Sequence, residues 1–274
     1  MEEQMQQVQA VKEENKIDDD EETDELYNPN PENKAMAFDL ELEVPSEYFR
    51  ICIEAAGRLL DEGRLSFSTE GMRIREMDTS QIAMVDVSLP RGGFVSYPLS
   101  IEAPASFGVN LKLLRQFIAK AQGTLKLSFN GGRLHIKYGQ KVFTMPLLEV
   151  QGTAQKPPSV DGLVESTAPI GSFFGWIKDI ETVASHASFE SVGNEIWLKG
   201  RGDGGEASIQ TPLKGENILA TFQISFINKF NMGGSGDVSI YLKTSAPLKM
   251  QYKFGPSMGS IEVTYWLAPR IEGV

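Results

Sequence analysis

The residues able to carry catalysis are few. The chain has two histidines, His135 and His186, and one cysteine, Cys52. Acid–base or nucleophilic catalysis needs titratable groups that converge, and none of these three lies in a nucleophile elbow, an HExxH helix, a P-loop or another known motif. The sequence therefore favours a protein that is not an enzyme and that needs no metal or cofactor. One enzyme alternative stays open, a β-rich two-domain hydrolase using Asp78 and a histidine.

Acidic charge is concentrated at the N-terminus. Of the net charge of −11, residues 1–35 carry −9, from twelve acidic and three basic side chains, and the remainder carries only −2. Residues 1–35 have too few apolar side chains to offset chain entropy by burial, so we predict a disordered acidic tail. The nearly neutral body, by contrast, is able to present a basic surface to nucleic acid.

The compartment follows from what the sequence lacks. A single cysteine allows no disulfide within one chain. No apolar run is long enough to span a membrane, and the N-terminus has no signal-peptide pattern. These features predict a cytoplasmic or nuclear protein with no membrane partner.

A repeated order of elements organises the rest of the chain. Amphipathic periodicity predicts four helices, and alternation predicts one strand before each helix and three after it. The helices are predicted at residues 46–60, 110–121, 172–184 and 225–231. The strand before the second helix is predicted at 94–101. One strand–helix–three-strand unit cannot bury its apolar face alone, so neighbouring units must pack together.

The connector at 149–162 divides the four units into two pairs. It contains Pro157-Pro158 and has neither helical nor strand periodicity. We predict an α+β fold of two similar domains, 36–148 and 163–274, each of two units, with helices on one side and sheets on the other.

The exposed sides of the predicted helices are basic. The acidic residues set against these cations are Glu54 and Glu181, and the helix at 110–121 has no acidic residue. Spread cations without interleaved aromatic residues suit sequence-independent contact with phosphates. An ordinary solvated helix face is the alternative. The predicted phosphate-contacting residues, which the resemblance described below implies would face DNA, are Arg50, Arg58, Lys112, Arg115, Lys120, Lys178 and Lys229.

Four collinear segments resemble one known family. The segment 76–90, EMDTSQIAMVDVSLP, is similar to the signature of the DNA sliding clamps of archaea and eukaryotes, the proliferating cell nuclear antigen family. Residues 108–121, 145–150 and 265–272 resemble that family's second helix, its approach to the interdomain loop and its C-terminus. The resemblance covers about residues 36–274 in register, which makes it far more specific than any single segment.

The resemblance implies a fold and a function. It implies a DNA clamp fold and a closed homotrimeric ring, with helices lining a central hole and sheets outside. Such a ring would encircle double-stranded DNA and act as a polymerase processivity factor in replication and repair. A subunit of a heterotrimeric or checkpoint-type clamp is the alternative. The location would be the cytoplasm and nucleoid of an archaeon or the nucleus of a eukaryote.

Ring closure in that family joins two edge strands of neighbouring subunits. By position these strands are 140–145 and 206–211 here. An ordinary sheet edge is the alternative for each. The implied interface residues are Lys141, Val142, Phe143, Thr144, Ala207, Ser208, Ile209 and Gln210.

Partners of the family, including DNA polymerase, clamp loader, flap endonuclease and ligase, dock a short peptide with two aromatic residues under the interdomain loop. For Met77 and Leu267, plain core is the alternative. The chain departs from the family in the loop itself, at Thr153, Gln155 and 156–158. The matching groove positions are Met77, Gln81, Ile82, Met84, Pro247, Trp266, Leu267, Ala268, Pro269 and Ile271.

Overall fold

The structure is a computed structural model, and it describes residues 39–98, 101, 105–149, 155–159, 162–255 and 259–270. The acidic segment predicted to be disordered lies outside these residues. Thr153 in the connector and Ile271 of the predicted groove also lie outside them. The predicted domain boundaries stay a prediction.

The described residues form sixteen strands, four α-helices and one short 3-10 helix at Arg91–Gly93. The helices are α1 (Ser46–Gly57), α2 (Leu111–Ile118), α3 (Ile170–Glu181) and α4 (Ile224–Lys229). The strands of the first half are β1 (Leu40–Pro45), β2 (Glu62–Ser68), β3 (Gly71–Met77), β4 (Ala83–Pro90), β5 (Ala105–Asn110), β6 (Thr124–Asn130), β7 (Arg133–Tyr138) and β8 (Lys141–Pro146). Those of the second half are β9 (Val164–Pro169), β10 (His186–Val192), β11 (Glu195–Gly202), β12 (Gly205–Lys214), β13 (Leu219–Gln223), β14 (Asp237–Leu242), β15 (Leu248–Phe254) and β16 (Ile261–Leu267).

The order of elements confirms the fourfold repeat, because each helix follows one strand and precedes three. Three antiparallel sheets result. Sheet I has the strand order β1-β6-β7-β8, and sheet III has the order β12-β11-β10-β13. Sheet II has eight strands in the order β5-β2-β3-β4-β16-β15-β14-β9, so β4 of the first half pairs with β16 of the second. The predicted α+β class is confirmed, and the two halves share one continuous sheet.

The helices form where the sequence provides an apolar stripe, and α2 also has a capping residue at its start. In α1, Phe49, Cys52 and Ile53 are fully buried and face the sheets. In α2 the Asn110 side chain caps the first turn, because it accepts a hydrogen bond from Leu113 N at 2.8 Å. This cap satisfies a backbone donor that would otherwise have no partner in the first turn.

Aromatic side chains fill the core of each half. In the first half, Phe129 of sheet I lies with its ring centroid 5.3 Å from that of Phe67 on sheet II. In the second half, Phe173 of α3 stacks on Phe189 of sheet III at 6.4 Å. Tyr265 of β16 is fully buried and donates a hydrogen bond to Ala55 O of α1 at 2.8 Å. The helices therefore cover the face of sheet II to which Tyr265 points.

The strand predicted at 94–101 is wrong. Residues 94–98 form no strand beyond an isolated bridge from Ser96 to Glu43, and residues 99–100 lie outside the described part. Tyr97 instead donates hydrogen bonds to Ser68 O at 2.7 Å and Gly71 O at 2.9 Å. The true strand is β5, which pairs with β2.

An ion-pair network locks the β3–β4 hairpin on the opposite face of sheet II. The Asp86 carboxylate accepts from Arg73 Nε at 2.8 Å, from Arg73 Nη2 at 2.7 Å and from Arg75 Nε at 2.9 Å. Arg75 and Asp86 are both buried. A buried charge without a partner is strongly unfavourable, so the three side chains hold this hairpin in one register.

Candidate nucleic-acid interface and partner groove

Two of the predicted DNA-facing arginines also tie helices together. Arg50 of α1 donates through Nη1 to Ala121 O just beyond α2, at 3.2 Å. Arg115 of α2 donates through Nη1 to Gly57 O at the end of α1, at 3.3 Å. Each guanidinium thus satisfies a carbonyl at the C-terminal end of the other helix, where a cation is also favoured by the helix dipole.

Arg58 is placed differently from the other six cations. It is half-buried after the end of α1, and its Nε is buried without a hydrogen-bond partner in the described chain. Burial raises the pKa of Tyr252 and of Tyr265, and the charge of Arg58 opposes that rise in both. Arg58 therefore directs part of its guanidinium toward the core, which makes it a poor candidate for phosphate contact.

The exposed lysines of the helix side are unequal in their surroundings. Lys112 and Lys120 lie on and just after α2, which has no acidic residue. Lys178 lies on α3 beside the exposed carboxylates Asp179 and Glu181. The positive charge is thus concentrated on α2.

Lys229, the last of the predicted cations, lies against an aromatic ring. Its Nζ lies 4.8 Å from the ring centroid of Phe226, within cation–π range. The sequence-based prediction named two acidic residues on the helix side and omitted two more, Glu47 and Asp179, both of which are exposed. Both lie within the predicted helix bounds, so the sequence contains the signal that identifies them.

The predicted groove lies on the face of sheet II opposite the helices. Cross-strand register places Met77, Met84 and Trp266 in one row across β3, β4 and β16. Successive side chains in a strand point to opposite faces, so Trp266 points away from the α1-facing Tyr265. We call this row, with the exposed side chains Ile82 and Ala268 at its end, the partner groove.

The members of the predicted groove differ in exposure. Met84 and Trp266 are largely buried, at 2% and 8% exposed, and Leu267 is fully buried in the core. Met77, Pro247 and Pro269 are half-buried, while Gln81, Ile82 and Ala268 are exposed. Because successive side chains of β16 point to opposite faces, Leu267 lies on the core side, which agrees with the alternative that it is a plain core residue.

One carboxylate builds the turn that presents Gln81 and Ile82. Asp78 Oδ1 accepts from Ile82 N and from Ala83 N, both at 2.8 Å, and Oδ2 accepts from Ser80 N at 3.1 Å. The Ile82 carbonyl in turn accepts from Ala268 N at 2.9 Å. Gln81 has a φ of 58°, which costs a non-glycine residue about 1–2 kcal/mol. The Asp78 bonds offset this cost.

Asp78→Asn should therefore lower the free energy of unfolding and make it less dependent on pH in the acidic range. Burial would raise the pKa of Asp78, but the hydrogen bonds from Ser80, Ala83 and Ile82 together lower it. A lowered folded-state pKa gives stability that is complete above the ordinary value of about 3.9 and is lost as pH falls through the folded value. We expect a loss of about 1–3 kcal/mol at neutral pH.

The measurement is chemical unfolding of both proteins from pH 7 to pH 2. The difference between them should shrink below pH 4, where the wild-type carboxylate is protonated. Asp203→Asn, at an exposed β-turn, is the matched control and should be neutral. A constant difference at every pH would contradict the assigned role of Asp78.

The two strands predicted to close a ring both lie at sheet edges. In the described chain β8 pairs only with β7, and β12 only with β11. On β8, Lys141, Val142 and Thr144 are exposed, with Val142 at 60%. Of the remaining predicted interface residues, Ser208 and Gln210 are exposed. The others, Phe143, Ala207 and Ile209, are half-buried.

Phe143 also links the β8 edge to the helix side. Its ring stacks on Phe117 of α2 at 4.8 Å and on Tyr138 at 5.8 Å. Backbone groups on an unpaired edge are available to another strand.

Other kinds of site are not found in the part of the chain that the structure describes. Within it, no cluster of three or more His, Cys, Asp or Glu side chains could hold a metal ion. No described helix is long and apolar enough to cross a membrane. Cys52 is buried, and its burial raises the pKa of its thiol.

Curated proteins similar to this chain are archaeal sliding clamps. The "DNA polymerase sliding clamp 1" of Thermococcus kodakarensis is 25% identical over 254 residues, covering 86% of this chain and all of that protein. The protein of the same name from Pyrobaculum aerophilum is 26% identical over 246 residues, covering 84% and 97%. No protein-family model matches the chain.

Solved structures give the same comparison at the level of the fold. A structure of A. fulgidus PCNA with the C-terminal region of FEN-1 bound has a TM-score of 0.75 at 20% identity, covering 86% of this chain and all of the other. The PCNA2–PCNA3 complex of Sulfolobus tokodaii gives 0.71 at 20% identity, covering 84% and 99%. Alignment along the whole length of the relatives and agreement in fold lead to one conclusion: the chain is similar in sequence to the archaeal DNA polymerase sliding clamps and has the fold of the solved PCNA structures.

Proposed function

We propose that the chain is a sliding clamp, a ring of three subunits that encircles duplex DNA and tethers replication and repair proteins without catalysing a reaction. The observation that supports this proposal most strongly is that the two faces of sheet II differ in what covers them. Helices with exposed cations cover one face, and an apolar row ending in Ile82 and Ala268 occupies the other. One face thus suits phosphates and the other suits peptides.

The DNA contact in this proposal is weak and independent of sequence. Exposed charge pairs contribute about 1 kcal/mol or less, so topology rather than affinity retains the ring while it slides. The basic side chains on and beside α2, Lys112, Arg115 and Lys120, are the main contacts in this scheme, and Arg58 is not one of them. Lys178 and Lys229 contribute less.

Ring closure in this proposal pairs β8 of one subunit with β12 of the next. Head-to-tail pairing covers both exposed edges, and the ring closes when three subunits have joined. The A. fulgidus protein with a FEN-1 segment bound and the named sliding clamps support a tethering role. The S. tokodaii complex of two different subunits supports a second candidate, one subunit of a mixed ring.

Solution mass and a topology assay test the proposal together. The purified chain should have a mass near three times 30.2 kDa. Loaded by a clamp loader onto nicked circular DNA, it should remain bound and should be lost when the circle is cut. A stable monomer that assembles only with related subunits would favour the mixed ring, and equal retention on linear and circular DNA would overturn encirclement.

A further inference from the structure

A polar cleft lies on sheet III, on the side away from α3. Its volume is about 580 Å³, within the range of ligand-binding clefts. Strands β10 to β13 form its floor, and Arg270 of the C-terminal segment lies at its rim. Helix α3 packs on the other side, where a Cβ on Gly200 would lie 2.4 Å from Ile180 Cγ2. The cleft is therefore separate from the helix side that we propose for DNA.

The cleft contains one cation without an acidic partner. Lys199 forms a short ion pair with Glu190, and Arg201 Nε lies 2.8 Å from Glu206 Oε1. Arg270 has no ion pair with any residue that the structure describes. Its backbone is held, because Arg270 N donates to Thr221 O at 2.8 Å. The net charge of these five side chains is +1, and the unpaired charge belongs to Arg270.

Hydrogen-bonding groups converge beside Arg270. His186 Nδ1 lies 2.9 Å from Ser185 Oγ, and Ser188 Oγ lies 2.6 Å from Thr221 Oγ1. Burial lowers the pKa of His186, and the charge of Arg270 lowers it further, so both favour the neutral ring. The charged groups around this histidine are Arg270, Lys199, Arg201, Glu190 and Glu206. A guanidinium with hydroxyl and imidazole groups is a typical setting for carboxylate or phosphate binding.

The C-terminal segment connects this cleft to the partner groove. Ala268 N bonds to Ile82 O in the groove, and two residues later Arg270 N bonds to Thr221 O at the cleft. Two residues of chain span about 7 Å. A peptide that covers Ala268 therefore needs only two or three further residues to reach Arg270.

We propose that this cleft binds an acidic residue, a carboxylate or a phosphorylated side chain, on a partner peptide that continues out of the partner groove. The inference rests on the proposed function, since it takes the groove as the peptide's main site. The Arg270 guanidinium pairs with the anion, and the cleft hydroxyls hydrogen-bond to it. Peptides with an acid in the flank next to Arg270 bind more tightly than neutral ones.

Matched peptides test this on the full-length protein. Five peptides carry the same core with two aromatic residues. One has neutral flanks, and the other four carry either two glutamates or a phosphoserine in the flank at one end or at the other. Fluorescence anisotropy at low salt should give about three- to tenfold tighter binding for an acidic flank on one end. Arg270→Gln should remove that gain and leave the neutral peptide unchanged, whereas Lys253→Gln, an exposed lysine elsewhere, should preserve it.

Histidine NMR gives an independent readout, because the chain has only two histidines. An anion beside Arg270 should raise the pKa of His186, and the ring resonances of His135, on sheet I, should not move. Equal binding of acidic and neutral peptides, or a gain that persists in Arg270→Gln, overturns the proposal. An equal His186 shift with inorganic phosphate alone, or displacement of the peptide by duplex DNA, also overturns it.

The two proposals fail in different ways. If the neutral peptide does not bind at all while an isolated acidic flank still shifts His186, the groove is wrong and the cleft stands. If the neutral peptide binds and no flank has any effect, the groove stands and the cleft is wrong.

Discussion

Ile82→Asp is expected to weaken binding of a two-aromatic partner peptide by about ten- to a hundredfold while leaving the fold intact. Burial of one large aliphatic side chain contributes about 1.5–3 kcal/mol, and loss of that amount corresponds to this range in Kd. Ile82 is 37% exposed, so its side chain is available to a partner. Its N–H and carbonyl bond to Asp78 and Ala268, and both bonds survive the substitution.

The measurement is peptide Kd by calorimetry together with the thermal unfolding midpoint. Val95→Asp is the control, because Val95 is 60% exposed and lies outside the groove. It introduces the same charge on an aliphatic site and should leave peptide affinity unchanged. Equal effects of the two substitutions would show that the groove is wrongly placed.

Trp266 is a less informative probe than Ile82. It is only 8% exposed and lies between Met84 and Lys249 in the cross-strand register. Truncating a buried tryptophan to alanine costs about 3–5 kcal/mol of stability. A loss of peptide binding in Trp266→Ala would therefore mix partial unfolding with the loss of a contact.

Periodicity was sufficient to predict the repeated elements, and it failed at β5. The apolar residues around Phe94 and Tyr97 resemble a strand, but their rings pack against each other at 4.7 Å in an irregular segment. The true strand contains Gly108, which local rules interpret as a break. A glycine is needed there because a Cβ would lie 2.7 Å from Leu148 O, a contact that no local pattern reveals.

The candidate sites were predictable only in part, because they too depend on contacts between residues distant in the sequence. Alternation along β16 separates Trp266 from the core-facing Leu267 once the register is known, and the sequence alone does not give that register. The arginine bonds between α1 and α2 join residues 71 and 58 positions apart. The cleft beside Arg270 depends on a tertiary hydrogen bond to β13, so no spacing in the sequence indicates it.

The second large effect concerns charge on α2. Lys112→Gln with Lys120→Gln should lower affinity for a short linear duplex by about ten- to a hundredfold at low salt, because each phosphate contact contributes about 0.9 to the slope of log K against log salt. Both lysines are exposed, and neither side chain forms an ion pair with a residue that the structure describes. Arg115 is left in place because its bond to Gly57 O supports the helix pair.

Two control pairs make the result specific. Lys137→Gln with Lys253→Gln removes the same charge from exposed strand positions, away from the helices, and should leave the salt slope unchanged. Lys178→Gln with Lys229→Gln should have a smaller effect than the α2 pair, because Asp179 and Glu181 already offset the positive charge of α3. The measurement is anisotropy across a salt series, with solution mass as a check on assembly. Equal slopes for all three pairs would mean that the cations beside α2 are only solvated and that DNA contacts another surface.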